Sequence, residues 1–191
     1  MRKIILIKHA MSRVSSDIAS NQWMLTEEGK KGADQLAIKL KSFDFDTIFS
    51  SDEPKATETA GIVAERLGKE TIITKGLHEQ ERESNRVIYP REEWKALMKR
   101  FFDEPDTLVF GDETAREAKE RFRDAVEKVL DHSVAEKDVV IVAHGVVLSL
   151  LIADYNDVKV FEIWESLGLP SYAELDAESF KLLHIENVKS D

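Results

Sequence analysis

The sequence predicts an α/β fold, a three-layer α/β/α sandwich around a mainly parallel sheet. Three observations carry that expectation. Apolar blocks of strand length alternate with longer runs of helix formers along the whole chain. The two strongest blocks, Ile4-Ile5-Leu6-Ile7 and Val139-Val140-Ile141-Val142, are continuously apolar, as befits strands buried on both faces. No Pro- or Gly-rich linker and no internal repeat interrupts the 191 residues, so residues 1–191 are expected to form a single domain.

Taken in order, Lys3 to Lys8 reads as the first strand, and a loop leads to a helix from Glu27 to Lys41. Asp46 to Ser50 reads as a short second strand. Pro54 suits a first helical turn, and helical spacing from Ala56 to Leu67 ends at Gly68. Thr71 to Thr74 is expected to be a third strand. Glu92 to Phe102 and Glu113 to Leu130 carry helical periodicity, the latter forming the longest helix. Asp138 to Ala143 is the best-defined strand and runs through His144-Gly145 into an apolar helix, Val146 to Ala153. Ser179 to Ile185 is read as a final strand at the sheet edge.

Composition narrows the function. With 27 Lys and Arg against 37 Asp and Glu, the net charge is -10, which opposes binding to a polyphosphate backbone; nucleic acid is not expected as a partner. The absence of cysteine excludes disulfides, thiolate catalysis and Cys-based zinc sites. Arg2 and Lys3 precede an apolar run that stops at Lys8, too short for a signal h-region or a membrane span. A cytoplasmic protein without membrane contact is therefore expected.

Open α/β sheets bind ligands beyond the carboxyl ends of their strands. Four predicted strands end in reactive or charged residues: Lys8-His9, Ser50-Ser51 with Lys55 close by, His78-Glu79, and His144-Gly145. A parallel sheet gathers these into one pocket of histidines, cations and a carboxylate. That set suits phosphoryl transfer: a neutral imidazole attacks phosphorus, cations offset charge on its oxygens, and a carboxylic acid protonates the leaving oxygen. A helix starting at Gly145 adds amide groups for an anion. Each residue has an ordinary alternative: strand-end histidines bond loop backbone, Ser50-Ser51 caps a helix, and isolated lysines are surface charges. The coincidence of four strand ends carries the argument.

The same segments resemble a known family. Ile7-Lys8-His9-Ala10 resembles the Arg-His-Gly signature of histidine phosphatases, and Leu25-Thr26-Glu27-Glu28-Gly29 resembles their Leu-Thr-x-x-Gly helix entry. Ser50 to Ala60 resembles the Ser-Ser-x-x-x-Arg-Ala-x-Gln-Thr-Ala block, and Leu77-His78-Glu79 the Leu-x-Glu donor segment. Gly111-Asp112-Glu113-Thr114 is similar to Gly-Glu-Ser. Val142-Ala143-His144-Gly145 matches the second histidine motif, and Leu182 to Asn187 the closing strand. The matches keep family order from residue 4 to residue 187. The resemblance implies a phosphoglycerate mutase-like fold and a metal-independent phosphomonoester hydrolase without cofactor. His9 would be the nucleophile that forms a phosphohistidine, Glu79 the proton donor and His144 a further catalytic residue. Lys8, Lys55, Ser15 and Gly145 would bind a small phosphorylated substrate.

Two departures matter. Lys8 and Lys55 stand where the family has arginine, and lysine lacks the planar fork that grips two phosphate oxygens. Each lost charge-assisted hydrogen bond costs about 1.5–3 kcal/mol, or about one to two decades in rate. Glu79 lacks the family's Gly-x-Trp-Glu-Gly tail, which makes Glu81 a local rival as donor. The short Arg82 to Gly111 segment favours hydrolysis over mutase-type phosphotransfer, and Arg82, Arg86 and Arg91 are candidate contacts for an anionic substrate or, equally, part of a solvated helix face with Glu92 and Glu93. The competing readings are a catalytically weak or inactive phosphate-ester-binding protein and, with less support, a metallohydrolase on His9, His78 and His144. Sugar phosphates, nucleotides, phosphoproteins and small acids are all compatible with these motifs, and so are several oligomeric states.

Overall fold

The centre of the fold is built from the two blocks that alternate least in the sequence. In the computed structural model, which describes residues 1–189, β1 (Lys3–Lys8) pairs in parallel with β4 (Val139–Ala143). Ile4 to Ile7 of β1 and all of β4 are apolar because each face of the sheet is covered. Ile4, Leu6, Val139 and Ile141 point into one cluster, while Ile5, Ile7, Val140 and Val142 point into the other. Each such side chain contributes about 1.5–3 kcal/mol by leaving water, so these strands are the most expensive to misplace.

The helices divide between the two faces. Against Ile5 and Ile7 pack α1 (Glu27–Leu40) and α2 (Pro54–Leu67), and Pro54 opens α2 while Gly68 ends it in a left-handed conformation. Against Ile4 and Leu6 pack α3 (Arg91–Asp103), α4 (Ala115–His132), α5 (Gly145–Tyr155) and α6 (Val160–Ser166). Residues 145–152 of α5 are buried on every side, which explains an apolar helix without a polar stripe. A reciprocal cap between Thr114 and Glu117 starts α4.

Outside the central pair, β2 (Thr47–Ser50) lies parallel to β4, and β3 (Glu70–Ile73) lies parallel to β2 at one edge. On the other side β5 (Ser171–Asp176) runs antiparallel to β1, and β6 (Leu182–Asn187) pairs antiparallel with β5 at the far edge. The order is β3-β2-β4-β1-β5-β6, a mainly parallel six-stranded sheet between two helical layers. The expected final strand begins later than its sequence suggests. Ser179 and Phe180 form a turn, with Phe180 at a φ of 57°, before β6 starts at Leu182. Two elements have no counterpart in the sequence reading, β5 and α6. Trp94 and Trp164 pack edge to face, partly buried against the larger cluster. Among the described residues no helix is long and apolar enough to cross a membrane.

Candidate active site

Because β1, β4 and β2 are parallel neighbours, the residues after their carboxyl ends share one edge of the sheet. Ladder-like bonds continue past the strands: the His9 amide donates to the Ala143 carbonyl at 3.0 Å and the Ser51 amide to the Val142 carbonyl at 2.9 Å. The loop after His9 is held equally firmly. The Ala10 amide donates to Thr59 Oγ1, and the Met11 carbonyl accepts from the Thr26 amide. This contact explains the Thr-x-x-Gly helix entry. Thr26 Oγ1 accepts from the Gly29 amide, and a Cβ on Gly29 would lie 2.0 Å from the Met11 carbonyl oxygen.

His9 is buried, and its Nδ1 lies 2.7 Å from the Ala10 carbonyl oxygen. A carbonyl only accepts, so Nδ1 carries the hydrogen and the lone pair resides on Nε2. Burial pushes the imidazole well below its usual pKa, and the neighbouring His144 and Lys55 add to the effect. At neutral pH the ring is an uncharged nitrogen base. Its centroid is 5.2 Å from that of His144.

His144, fully buried at the start of α5, has Nε2 2.8 Å from Ser51 Oγ, while no side chain or backbone group bonds its Nδ1 among the described residues. Burial and then the Lys55 charge hold it well below the ordinary histidine pKa. Glu53 Oε1 approaches His144 Nε2 to 3.6 Å. The same carboxylate accepts from Lys55 Nζ at 2.5 Å and from the Glu79 amide at 2.8 Å. Lys55 Nζ also donates to the Ser20 carbonyl at 2.6 Å, so two of its three donors face protein acceptors. Burial lowers the Lys55 pKa, and Glu53 opposes that shift. Lys8 Nζ donates to the Leu167 carbonyl; burial brings its pKa down to about 8 against a raising influence from Glu79. Gly145, the first residue of α5, lies against the Lys8 side chain.

Glu79 rests on the amino terminus of α5. Its Oε2 accepts from the Val146 amide at 3.1 Å, and Oε1 accepts from Val147 and Gln80 at 3.2 and 3.0 Å. The loop that carries it is tied to α4 by an arginine the sequence did not single out. Arg121 donates to the carbonyls of Gly76, His78 and Glu79 and forms a two-toothed pair with Glu113. Glu113 also accepts from the Glu81 amide. Gly111, at a φ of 75°, lets the backbone pass where a Cβ would stand 2.6 Å from the Glu81 carbonyl oxygen. The Gly-Asp-Glu-Thr run thus buckles the Glu79 loop to the first turn of α4.

The structure gathers His9, His144, Lys8, Lys55 and Glu79, five residues from four separate segments. Glu81 instead extends over the exposed side of the loop, where Oε1 meets His78 Nε2 at 3.2 Å. Ser15 sits farther out, its hydroxyl accepting from the Asp17 amide and its carbonyl from Trp23 Nε1. Glu53, Thr59 and Arg121 are the residues that sequence reading missed. Glu53 lies inside the matched Ser50 to Ala60 block, two residues before Lys55, and that spacing was the available signal. Among the described residues no three His, Asp or Glu side chains gather as metal ligands.

A family model, the histidine phosphatase superfamily (branch 1), matches residues 4–182. The chain belongs to that superfamily. The chain is 25% identical over 183 residues to a probable phosphoglycerate mutase GpmB of Cronobacter sakazakii, covering 91% of this chain and 79% of that one. Among solved structures it resembles a mycobacterial glucosyl-3-phosphoglycerate phosphatase (TM-score 0.72, 20% identity, 100% and 99% of the two chains). It also resembles the phosphoserine phosphatase of Entamoeba histolytica, solved with 3-phosphoglyceric acid (TM-score 0.73, 20% identity, 100% and 98%). At these identities the two structures establish the shared fold. Superfamily neighbours are phosphatases and mutases.

Proposed function

We propose that this protein hydrolyses phosphomonoesters through a phosphohistidine on His9. The observation that carries the reading is the 2.7 Å contact from His9 Nδ1 to the Ala10 carbonyl, which leaves Nε2 as an unprotonated nitrogen beside His144. Nε2 attacks phosphorus, the P–O bond to the alcohol breaks, and Glu79 gives its proton to the departing oxygen. Water, losing a proton to Glu79, then attacks phosphorus; the P–N bond breaks and His9 is restored with release of phosphate. Lys8 and Lys55 offset the charge on the phosphoryl oxygens, and the unspent Nδ1 of His144 supplies a further donor.

Glu79 is favoured over Glu81 as donor because three backbone amides orient it beside His144. Hydrolysis is favoured over mutase-type transfer by the shortness of the Arg82 to Gly111 segment. One observation favours a second reading, a pocket that binds phosphate esters with little turnover: Glu53 occupies a Lys55 donor and cancels its charge. Phosphate release from para-nitrophenyl phosphate and a panel of phosphomonoesters, with wild type and His9→Ala compared, separates the two. Release that disappears in His9→Ala is expected. Release equal in both proteins would overturn the hydrolase reading, and release absent from both would overturn it for these substrates. If release is absent, Lys8→Arg with Lys55→Arg tells a detuned enzyme, which regains turnover, from a binding protein, which does not.

A further inference from the structure

We propose that an apolar groove beside the phosphoryl site holds the leaving group, so that the preferred substrates are aryl or similarly apolar phosphomonoesters. The inference rests on the phosphatase reading and extends it to a substrate class. The groove encloses about 300 Å³, room for about ten waters at about 30 Å³ each, or for a ring system of similar bulk. Trp23, Tyr89, Trp94 and Phe110 supply its aromatic surface, and Ile18 and Ile88 its aliphatic surface.

The groove adjoins the cleft beside Glu79. Ser20 and Arg82 line both the groove and the neighbouring cleft that contains Glu53 and Glu79. Lys55 Nζ, bonded to the Ser20 carbonyl, lies 5.7 Å from the centroid of the Trp23 ring, which places this cation behind the groove wall. Arg82 lies 5.1 Å from the Trp94 ring centroid and donates to Ser20 Oγ. Positive charge therefore stands where the groove meets the cleft, and apolar surface extends away from it. A phosphate at one end and a ring at the other match that polarity.

Polyols fit the groove less well than a ring, because its neutral polar side chains already spend part of their hydrogen-bonding capacity on the protein. Asn85 bonds the Tyr89 hydroxyl and the Val87 amide, Ser20 Oγ accepts from Arg82, and Ser15 Oγ accepts from Asp17. Hydroxyls buried there would lose water and meet few partners along the aromatic and aliphatic walls. The outer lip is itself exposed: Val87 is 61% and Ile88 52% accessible. A ring seated against it would cover apolar surface that the chain leaves in water.

The test measures binding of 1-naphthyl phosphate and methyl phosphate to His9→Ala by calorimetry, and phosphate release from both by wild type. The naphthyl ester is expected to bind about tenfold tighter or more. Tenfold is about 1.4 kcal/mol, which about 55 Å² of buried ring surface supplies at about 25 cal/mol/Å². Adding Ile88→Asp, an exposed position tolerant of charge, should cut that preference by about fivefold or more, in binding and in kcat/KM alike. Equal affinities, or a preference that survives Ile88→Asp, would overturn the proposal. Tight binding of a phosphotyrosyl peptide without naphthyl preference would overturn it too, the lip then being a protein-docking surface. If the binding preference holds while wild type releases no phosphate, the groove stands as an aryl-phosphate site and only the hydrolase reading falls.

Discussion

Replacing Glu53 with glutamine tests how the pocket sets its grip on phosphate. Lys8, Lys55 and Glu53, counted as charged, sum to +1, and Glu53→Gln raises the sum to +2. A phosphoryl oxygen about 6 Å from Glu53 is repelled by about 3 kcal/mol at an effective dielectric of about 20. Glutamine removes that repulsion but keeps one acceptor where the carboxylate has two, Oε2 for Lys55 Nζ and Oε1 for the Glu79 amide, so it holds Lys55 at the expense of the Glu79 amide contact. A counter-effect works through Lys55. Its pKa is lowered by burial and raised by Glu53, so removing the carboxylate lowers it further and costs part of the cation. If that takes back about half of the gain, about 1.4 kcal/mol is left, and phosphate should bind about tenfold tighter. Competitive inhibition by inorganic phosphate, or calorimetry where turnover is slow, reads the change. Affinity that is unchanged or weaker would refute the reasoning and show that Glu53 serves chiefly to keep Lys55 protonated.

The remaining predictions concern pH and the Glu79 loop. Lys8 is a cation below about pH 8 and neutral above it, so kcat/KM should fall as pH rises through about 8. In Lys8→Arg that alkaline limb should move beyond the measurable range, because guanidinium stays charged; a limb that stays in place would assign it to another group. Arg121→Met removes five hydrogen bonds and leaves Glu113 buried without its cation. It should cost about 3 kcal/mol in a urea melt and lower kcat more than it raises KM, since the loop that orients Glu79 comes loose. A stability loss with kcat untouched would mean that Arg121 supports the fold and not the donor.

Much of this molecule is legible without coordinates, for a physical reason. Ile4 to Ile7 and Val139 to Val142 announce themselves because a strand buried on both faces has no polar position to confuse its period. His9, Glu79 and His144 could be singled out because chemistry in a parallel sheet collects beyond strand ends, and strand ends show in sequence. What tertiary structure alone decided is whatever depends on a partner distant in sequence. β5 is invisible as Ser-Tyr-Ala-Glu-Leu-Asp, since Glu174 becomes a strand residue only between Ile5 of β1 and His184 of β6, with its carboxylate paired to Lys3, and β5 runs antiparallel to both neighbours. Glu53, at the entry to α2, is not singled out by the sequence, and only folding buries it between Lys55 and the Glu79 amide. Arg121 reads as one charge among many on α4 until three carbonyls of another loop converge on it. Hydrophobic period is written locally, whereas the pairing of buried charges is settled only when the chain closes around them.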